Sequence, residues 1–341
     1  MSANPLWGFS PIGDFASQHQ FILKSEMRIN MIKTVASMEL AVDEHLHIQK
    51  NRITPEVMTG NEKRIAIVTG THGDELEGQF VCYELLRILN TNPDKVKGII
   101  DIYPALNPLG IDSITRNIPM FELDMNRSFP GSENGTMIEM LIKRIVDDLS
   151  DADMCIDIHA SNIFLMEMPQ VRISEESSAR LLPYAKMLNA DFVWIHGSPT
   201  VLESTLAYSL NNIGVPTLVA EMGVGMRITE SYGYQLTNGI LNLMKNIGIW
   251  EGDTPSVKEP IVSSDRAIGL INAEKSGIFK PEIGIGDNVK AGDIIGKILN
   301  PLTGNDEELI HANMDGMVFT RREYPVVYNG SLLARILGGE K

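Results

Sequence analysis

Three apolar runs in this chain each end on a residue capable of metal binding or proton transfer. Ile65-Ala66-Ile67-Val68 leads into Thr69-Gly70-Thr71-His72-Gly73-Asp74-Glu75. Met154-Cys155-Ile156-Asp157-Ile158 leads into His159, and Thr217-Leu218-Val219-Ala220 leads into Glu221. Short β-rich runs of this kind read as parallel strands buried on both faces. Open α/β sheets bind ligands just beyond the carboxyl ends of their strands. Two histidines and two carboxylates are therefore expected to meet at one edge of one sheet. That is the ligand inventory of a catalytic zinc site with a general base beside it.

The surrounding sequence supports an α/β core. From Arg64 onward the chain alternates: strand 65–69, helix Glu75 to Leu89, turns at Asn92-Pro93 and Lys97-Gly98, then strand Ile99 to Tyr103. Met137 to Leu149, Ser178 to Leu188, Leu202 to Asn212 and Gln235 to Ile247 also read as helices. Residues 104–135, 160–177 and 196–203 read as loops. The first carries Pro104, Pro108, Pro119 and Pro130, and irregular stretches of that length tend to be functional. Residues 1–60 form a lead-in in which Glu26 to Val42 fits either an amphipathic helix or a strand. Gly252 to Ser264, rich in Pro, Ser and charge, marks a boundary. It divides a catalytic domain, 1–255, from a C-terminal β-domain, 256–341, where short strands alternate with Gly-rich turns and 277–300 is weakly repeated in 316–337.

Composition narrows the partners. The net charge of -15, with no clustered Lys/Arg surface, argues against nucleic acid. No apolar run is long enough to span a bilayer. Met1 to Ser17 lacks the basic and apolar regions of a signal peptide. The two cysteines, Cys82 and Cys155, fall inside expected core elements and fit a reducing compartment, so a cytoplasmic location is expected. Of the seven histidines, His19, His45, His47 and His311 have no supporting context. His196, in Trp194-Ile195-His196-Gly197, reads first as a hydrogen-bonded structural residue.

Four motifs, in order over residues 64–250, carry a resemblance. They are Gly70-Thr-His-Gly-Asp-Glu75-Leu-Glu-Gly78, Asp124-Met-Asn-Arg-Ser-Phe-Pro-Gly131, Asp157-Ile-His159 and Glu221-Met-Gly223. Together they resemble the succinylglutamate desuccinylase/aspartoacylase family of zinc carboxypeptidase-like hydrolases. The resemblance implies a carboxypeptidase-like α/β/α core with a mixed, mostly parallel sheet, followed by a small all-β domain of the barrel-sandwich kind. It implies one Zn2+ per chain, held by His72, Glu75 and His159, with Glu221 as general acid/base. It implies that Asn126 and Arg127 grip a substrate carboxylate, where a guanidinium fork and an amide suit the task. Arg116 would polarise the scissile carbonyl and hold the oxyanion.

Asp124 matches the carboxylate that orients His72. Asp157 competes for such a role, because position i−2 on a strand shares a face with His159. Asp74 and Glu77 are expected to cap the following helix.

The implied reaction is hydrolysis of the amide of a small N-acyl amino acid. A carboxypeptidase acting on short peptides is the alternative. A non-catalytic binding protein is a third reading, which loss of Glu221 would signal, and Glu221 is present. Partners are then a small substrate bearing a carboxylate and, with subunit count open, further copies of the chain. The C-terminal repeat resembles biotinyl/lipoyl carriers, yet Asn300 to Asp315 holds no lysine to modify. A packing, lid or oligomerisation module is expected instead.

Overall fold

The computed structural model describes residues 30–197 and 203–338. The expectations for residues 1–29, the signal-peptide reading and His19 included, and for the loop part 198–202 lie outside the described residues.

The core is built from β1 (Asn30–Glu39), β2 (His45–Ile53), β3 (Arg64–Thr69), β4 (Ile99–Tyr103), β5 (Met154–Ala160), β6 (Leu165–Ser174), β7 (Phe192–His196) and β8 (Thr217–Gly223). Its helices are α1 (Glu77–Thr91), α2 (Pro108–Ser113), α3 (Met137–Leu149), α4 (Ser178–Ala185), α5 (Leu206–Asn212) and α6 (Glu230–Asn246). β3 and β5 are buried at every position, as strands covered on both faces must be. Alternate residues serve opposite cores. Ile65, Ile67, Ile156 and Ile158 pack with α1 and α6, whereas Ala66, Val68 and Cys155 pack with α3 and α5. The result is helix layers on both sides of a sheet.

α3 shows how the sequence fixes an element. Thr136 and Glu139 form a reciprocal capping box at its start. Ile138, Leu141, Ile142, Ile145, Val146 and Leu149 then recur at helical spacing and are all buried.

The sheet order is β1-β2-β4-β3-β5-β8-β6. The β3–β4, β3–β5 and β5–β8 pairs are parallel; β1–β2, β2–β4 and β6–β8 are antiparallel. After β3 the chain places β4 on one side and β5 on the other, so the order reverses at β3. A crevice opens at such a switch point, beyond the carboxyl ends of the strands.

Beyond α6 lie β9 (Ile261–Ser264), β10 (Ile268–Asn272), β11 (Gly277–Pro281), β12 (Asn288–Val289), β13 (Ile294–Asn300), β14 (Asn305–His311), β15 (Gly316–Arg322), β16 (Val326–Val327) and β17 (Leu332–Leu337). β14-β13-β11-β16 form a separate four-stranded sheet. β10, β15 and β17 face it across a shared core that includes Ile271, Ile298, Ile310, Val318 and Ile336. This C-terminal module does not merely sit beside the core. β15 pairs with β6, setting Thr320 opposite Glu167, and β9 pairs with β7. Phe319 packs edge-on against Phe192 and Trp194.

One reading of the sequence changes, and one left open is decided. Residues 160–177, expected as a loop, contain β6, a ten-residue strand. Its Glu167, Gln170 and Arg172 interrupt the apolar pattern that identifies a strand, yet they are held in the fold by bonding to one another. The lead-in resolves as strand from residue 30, with β1 pairing along β2 through a bulge between Thr34 and Ala36. α6 also starts five residues before the expected Gln235.

Candidate active site

The loop leaving β3 turns sharply enough to return His72 and Glu75 to the same point. Gly73 permits this, because a Cβ there would lie 1.9 Å from the carbonyl carbon of Gly110. The opposing wall starts at Asn107, whose side chain accepts from Gly110 N (2.9 Å) and donates to Asn117 O (3.2 Å). It thereby ties the start of α2 to the segment carrying Arg116.

Glu75 sits between the two histidines. Its Oε1 lies 2.7 Å from His72 Nδ1 and its Oε2 lies 2.9 Å from His159 Nδ1. One potential ligand atom from each of His72, Glu75 and His159 falls within 4.8 Å of the others, and all three residues are buried. Outside this cluster, His72 Nε2 is 3.1 Å from Asp124 Oδ1. His159 Nε2 is 3.2 Å from Asp157 Oδ2, close but not aligned as a hydrogen bond. Each imidazole therefore has its own carboxylate on its far side, and Asp124 and Asp157 serve different rings rather than competing. Two imidazole nitrogens and a carboxylate, converging in a buried cluster, fit a borderline-soft divalent ion.

Electrostatics agree with this convergence. Burial pushes the Glu75 carboxyl upward, but the two imidazoles outweigh it and hold it down at about 2. Burial alone would push His72 and His159 down, yet the surrounding carboxylates raise both.

Glu221 lies beside His159 in the β5–β8 register. Burial raises its carboxyl, and with Glu167 nearby it reaches about 7 despite the attraction of Arg172. A carboxyl poised near neutrality can both take and return a proton. Arg172 Nη1 donates to Glu221 Oε1 at 3.1 Å.

Arg116 Nη1 donates to Glu75 Oε1 (3.0 Å) and Nε to Asp124 Oδ2 (3.3 Å). Asn126 is fixed by Leu206 N, which donates to its Oδ1 at 3.0 Å, leaving Nδ2 at 3.5 Å from His159 Nε2. Arg127 anchors one arm on the Asn126 carbonyl (2.8 Å). His72, Glu75, Arg116, Asn126, Arg127, His159 and Glu221 all line one open cavity of about 730 Å³, with Asp124 behind His72.

Glu77 departs from its expected role. The N-cap position of α1 is Leu76, without a side-chain cap. The Glu77 carboxylate instead accepts from Thr229 N (2.8 Å), tying the start of α1 to the segment leading into α6. Asp74 does not cap α1 either; its carbonyl accepts from Met226 N. His196 lines the cavity and is bonded locally, with Nδ1 2.8 Å from Gly197 O.

Sequence reasoning missed Arg172, Glu167 and Arg335. All three line the cavity; Glu167 and Arg172 fall with Gln170 among the polar residues of one strand-length segment, whereas Arg335 lies on β17, far along the chain.

Comparison with known proteins gives a consistent picture. The family model described as the succinylglutamate desuccinylase/aspartoacylase catalytic domain matches residues 61–247. A curated relative, the N-alpha-acetyl-L-2,4-diaminobutyric acid deacetylase of Halomonas elongata, is 26% identical over 291 residues, covering 82% of this chain and 84% of its own. Among solved structures, a product-bound ectoine utilization protein of Ruegeria pomeroyi superposes with a TM-score of 0.77 at 21% identity, covering 91% of this chain and 96% of that one. A succinylglutamate desuccinylase/aspartoacylase of Rhodobacter sphaeroides gives 0.76 at 24%, covering 92% and 96%. These likenesses show that the fold is shared along nearly the whole chain.

Proposed function

The chain belongs to the succinylglutamate desuccinylase/aspartoacylase family, and on that premise we propose that it is a metal-dependent, zinc-preferring hydrolase that deacylates a small N-acyl amino acid. The observation that carries the reading is the cluster of His72, Glu75 and His159 lining one cavity together with Glu221 and Arg127. The catalytic unit is residues 1–255, with 256–341 as its β-module. Two buried, unpaired cysteines support a cytoplasmic setting, and among the described residues no helix is long and apolar enough to cross a membrane.

His72, Glu75 and His159 hold one divalent ion, which supplies Lewis acidity toward an amide carbonyl and toward water. Asp124 and Asp157 keep the two rings oriented from behind. Glu221 takes the proton of the attacking water and returns it to the departing amine nitrogen. Arg116, held over the site by Glu75 and Asp124, donates to the carbonyl oxygen as charge builds on it. Arg127 and the Asn126 amide bind the amino-acid carboxylate and set the scissile bond against Glu221.

The test is turnover by the zinc-loaded protein of N-acetyl, N-succinyl and N-formyl amino acids beside dipeptides. The name of the Halomonas relative puts N-acetylated diaminobutyrate first among them. Turnover of dipeptides with none of the acyl amino acids would replace this reading by a carboxypeptidase. Turnover of neither class, with metal bound, would leave a binding protein.

A further inference from the structure

The polar groups behind Glu221 form a continuous line that starts in the C-terminal module. Arg335, on β17, donates through Nη1 to Glu167 Oε1 at 2.6 Å. The other oxygen of Glu167 accepts from Arg172 Nη2 (2.6 Å) and Gln170 Nε2 (2.7 Å). Arg172 then reaches Glu221 through Nη1 at 3.1 Å. Glu167 is 2% exposed, so both of its oxygens are committed inside the protein.

The sheet register makes this line possible. Thr320 of β15 stands opposite Glu167 of β6 on one side and Arg335 of β17 on the other. The three residues form one row across three strands, where side chains share a face. Thr320 is short and fully buried, so the Arg335 side chain passes over it to Glu167 and meets its hydroxyl at 3.4 Å. The Trp194 ring braces both guanidiniums, with Arg172 at 5.1 Å and Arg335 at 5.7 Å from its centroid. That ring is itself fixed by Nε1 donating to Asp265 Oδ1 at 2.7 Å.

We propose that the C-terminal β-module completes the active site by positioning its carboxylate: Arg335 fixes Glu167, Glu167 fixes Arg172, and Arg172 holds Glu221 in its working orientation. Arg335, Glu167 and Arg172 are positioning residues in this proposal, in which each acts on the reaction through Glu221. The inference rests on the reading of Glu221 as acid/base. It explains why an all-β appendage shares a sheet with the catalytic core instead of hanging from a linker. A Glu221 free to rotate still binds its proton but meets the water and the leaving nitrogen less often, so the loss falls on kcat and leaves KM alone.

The experiment is a double-mutant cycle on the full-length, zinc-loaded chain, with Arg335→Met, Glu221→Gln and their combination. Metal content and thermal midpoint are measured beside kcat and KM on the best acyl amino acid. Arg335→Met is expected to lower kcat by ~10–100-fold with KM within about threefold, while the combined variant is no slower than Glu221→Gln alone. Arg335→Lys, which restores a cation on a shorter reach, should recover part of the loss. If Arg335→Met sheds its metal, Glu167→Gln carries the same cycle, because it keeps the size of the side chain but replaces one of the two accepting oxygens with an amide group that cannot accept from an arginine. Normal kcat in the variants of Arg335 and Glu167 overturns the proposal, as does a loss that multiplies with that of Glu221→Gln. Full turnover by Glu221→Gln would instead remove the acid/base reading itself, a separate and recognisable result.

Discussion

Asp124 and Glu75 lie on opposite sides of the His72 ring, Asp124 Oδ1 at 3.1 Å from Nε2 and Glu75 Oε1 at 2.7 Å from Nδ1. The ring therefore offers Nδ1 to the ligand cluster and directs its other nitrogen at a carboxylate that fixes the tautomer and raises ring basicity. Asp124→Asn keeps the shape but supplies a poorer acceptor. Metal affinity, measured by chelator competition, should fall ~10–100-fold. Affinity unchanged by this substitution would show that Asp124 serves only the loop, through its bond from Asn126 N.

Glu221→Gln should keep the metal and lose turnover by ~10²–10⁴-fold in kcat, since in the proposed mechanism one carboxyl serves both proton transfers. Metal analysis and steady-state kinetics on the same preparation decide it. A near-normal kcat would move the base elsewhere in the cavity.

The metal-free protein should have a distinctive pH dependence. His72 and His159 are raised in the folded state, so the stability they contribute is present below their ordinary value of 6.5 and lost as pH rises through the raised values. Glu221 is raised as well, to about 7, so the folded state binds its proton more tightly and loses stability in the same direction. Glu75, held at about 2, acts oppositely, and its contribution disappears only under strong acid. The thermal midpoint in chelator should thus fall from about pH 6 to about pH 8, while added zinc, which needs neutral imidazoles, should stabilise more at the higher pH. Equal stabilisation by zinc at both values would mean that the histidines are not its ligands.

The parts of this site that could be read from sequence are those that coincide with strand ends. His72, His159 and Glu221 follow runs buried on both faces, and the switch in strand order makes those ends meet. Arg172 and Glu167 were illegible for the opposite reason. Buried polar residues on a strand look like loop until their partners are known, and Arg335 lies 168 residues from the Glu167 it satisfies. Glu77 illustrates a third case, in which an acidic residue in a helix's first turn looks like a cap but bonds to Thr229, far along the chain.

A second buried network tests stability apart from catalysis. Asp101 is wholly buried on β4 and takes Lys50 (3.0 Å), Arg52 (2.6 Å) and Arg64 (2.6 Å) on one carboxylate oxygen. Lys50 and Arg64 are themselves buried, so Asp101→Asn strands cations without their central anion. Removing one partner of such a group costs about 3–5 kcal/mol. Denaturant unfolding should show that loss, with kcat per folded, metal-loaded molecule unchanged because none of Lys50, Arg52, Arg64 and Asp101 lines the cavity. A small change would mean that Asp148, 2.5 Å from Lys50, carries the charge balance.

The two arginines of the cavity should divide substrate binding from transition-state stabilisation. Arg127 anchors one arm on the Asn126 carbonyl, and in the proposed mechanism its guanidinium binds a carboxylate present before and during reaction, so Arg127→Ala should mainly raise KM. The role proposed for Arg116 is to meet charge that appears only as the tetrahedral centre forms, so Arg116→Ala should mainly lower kcat, by ~10²–10³-fold. Its present bonds to Glu75 and Asp124 add a requirement, because the same substitution removes a cation from the ligand cluster. Metal content must therefore be matched before rates are compared. A substrate analogue lacking the carboxylate separates the roles further. It should bind the parent enzyme poorly, respond little to Arg127→Ala, and still depend on Arg116. Equal sensitivity of that analogue to both substitutions would show that the arginines act as one unit.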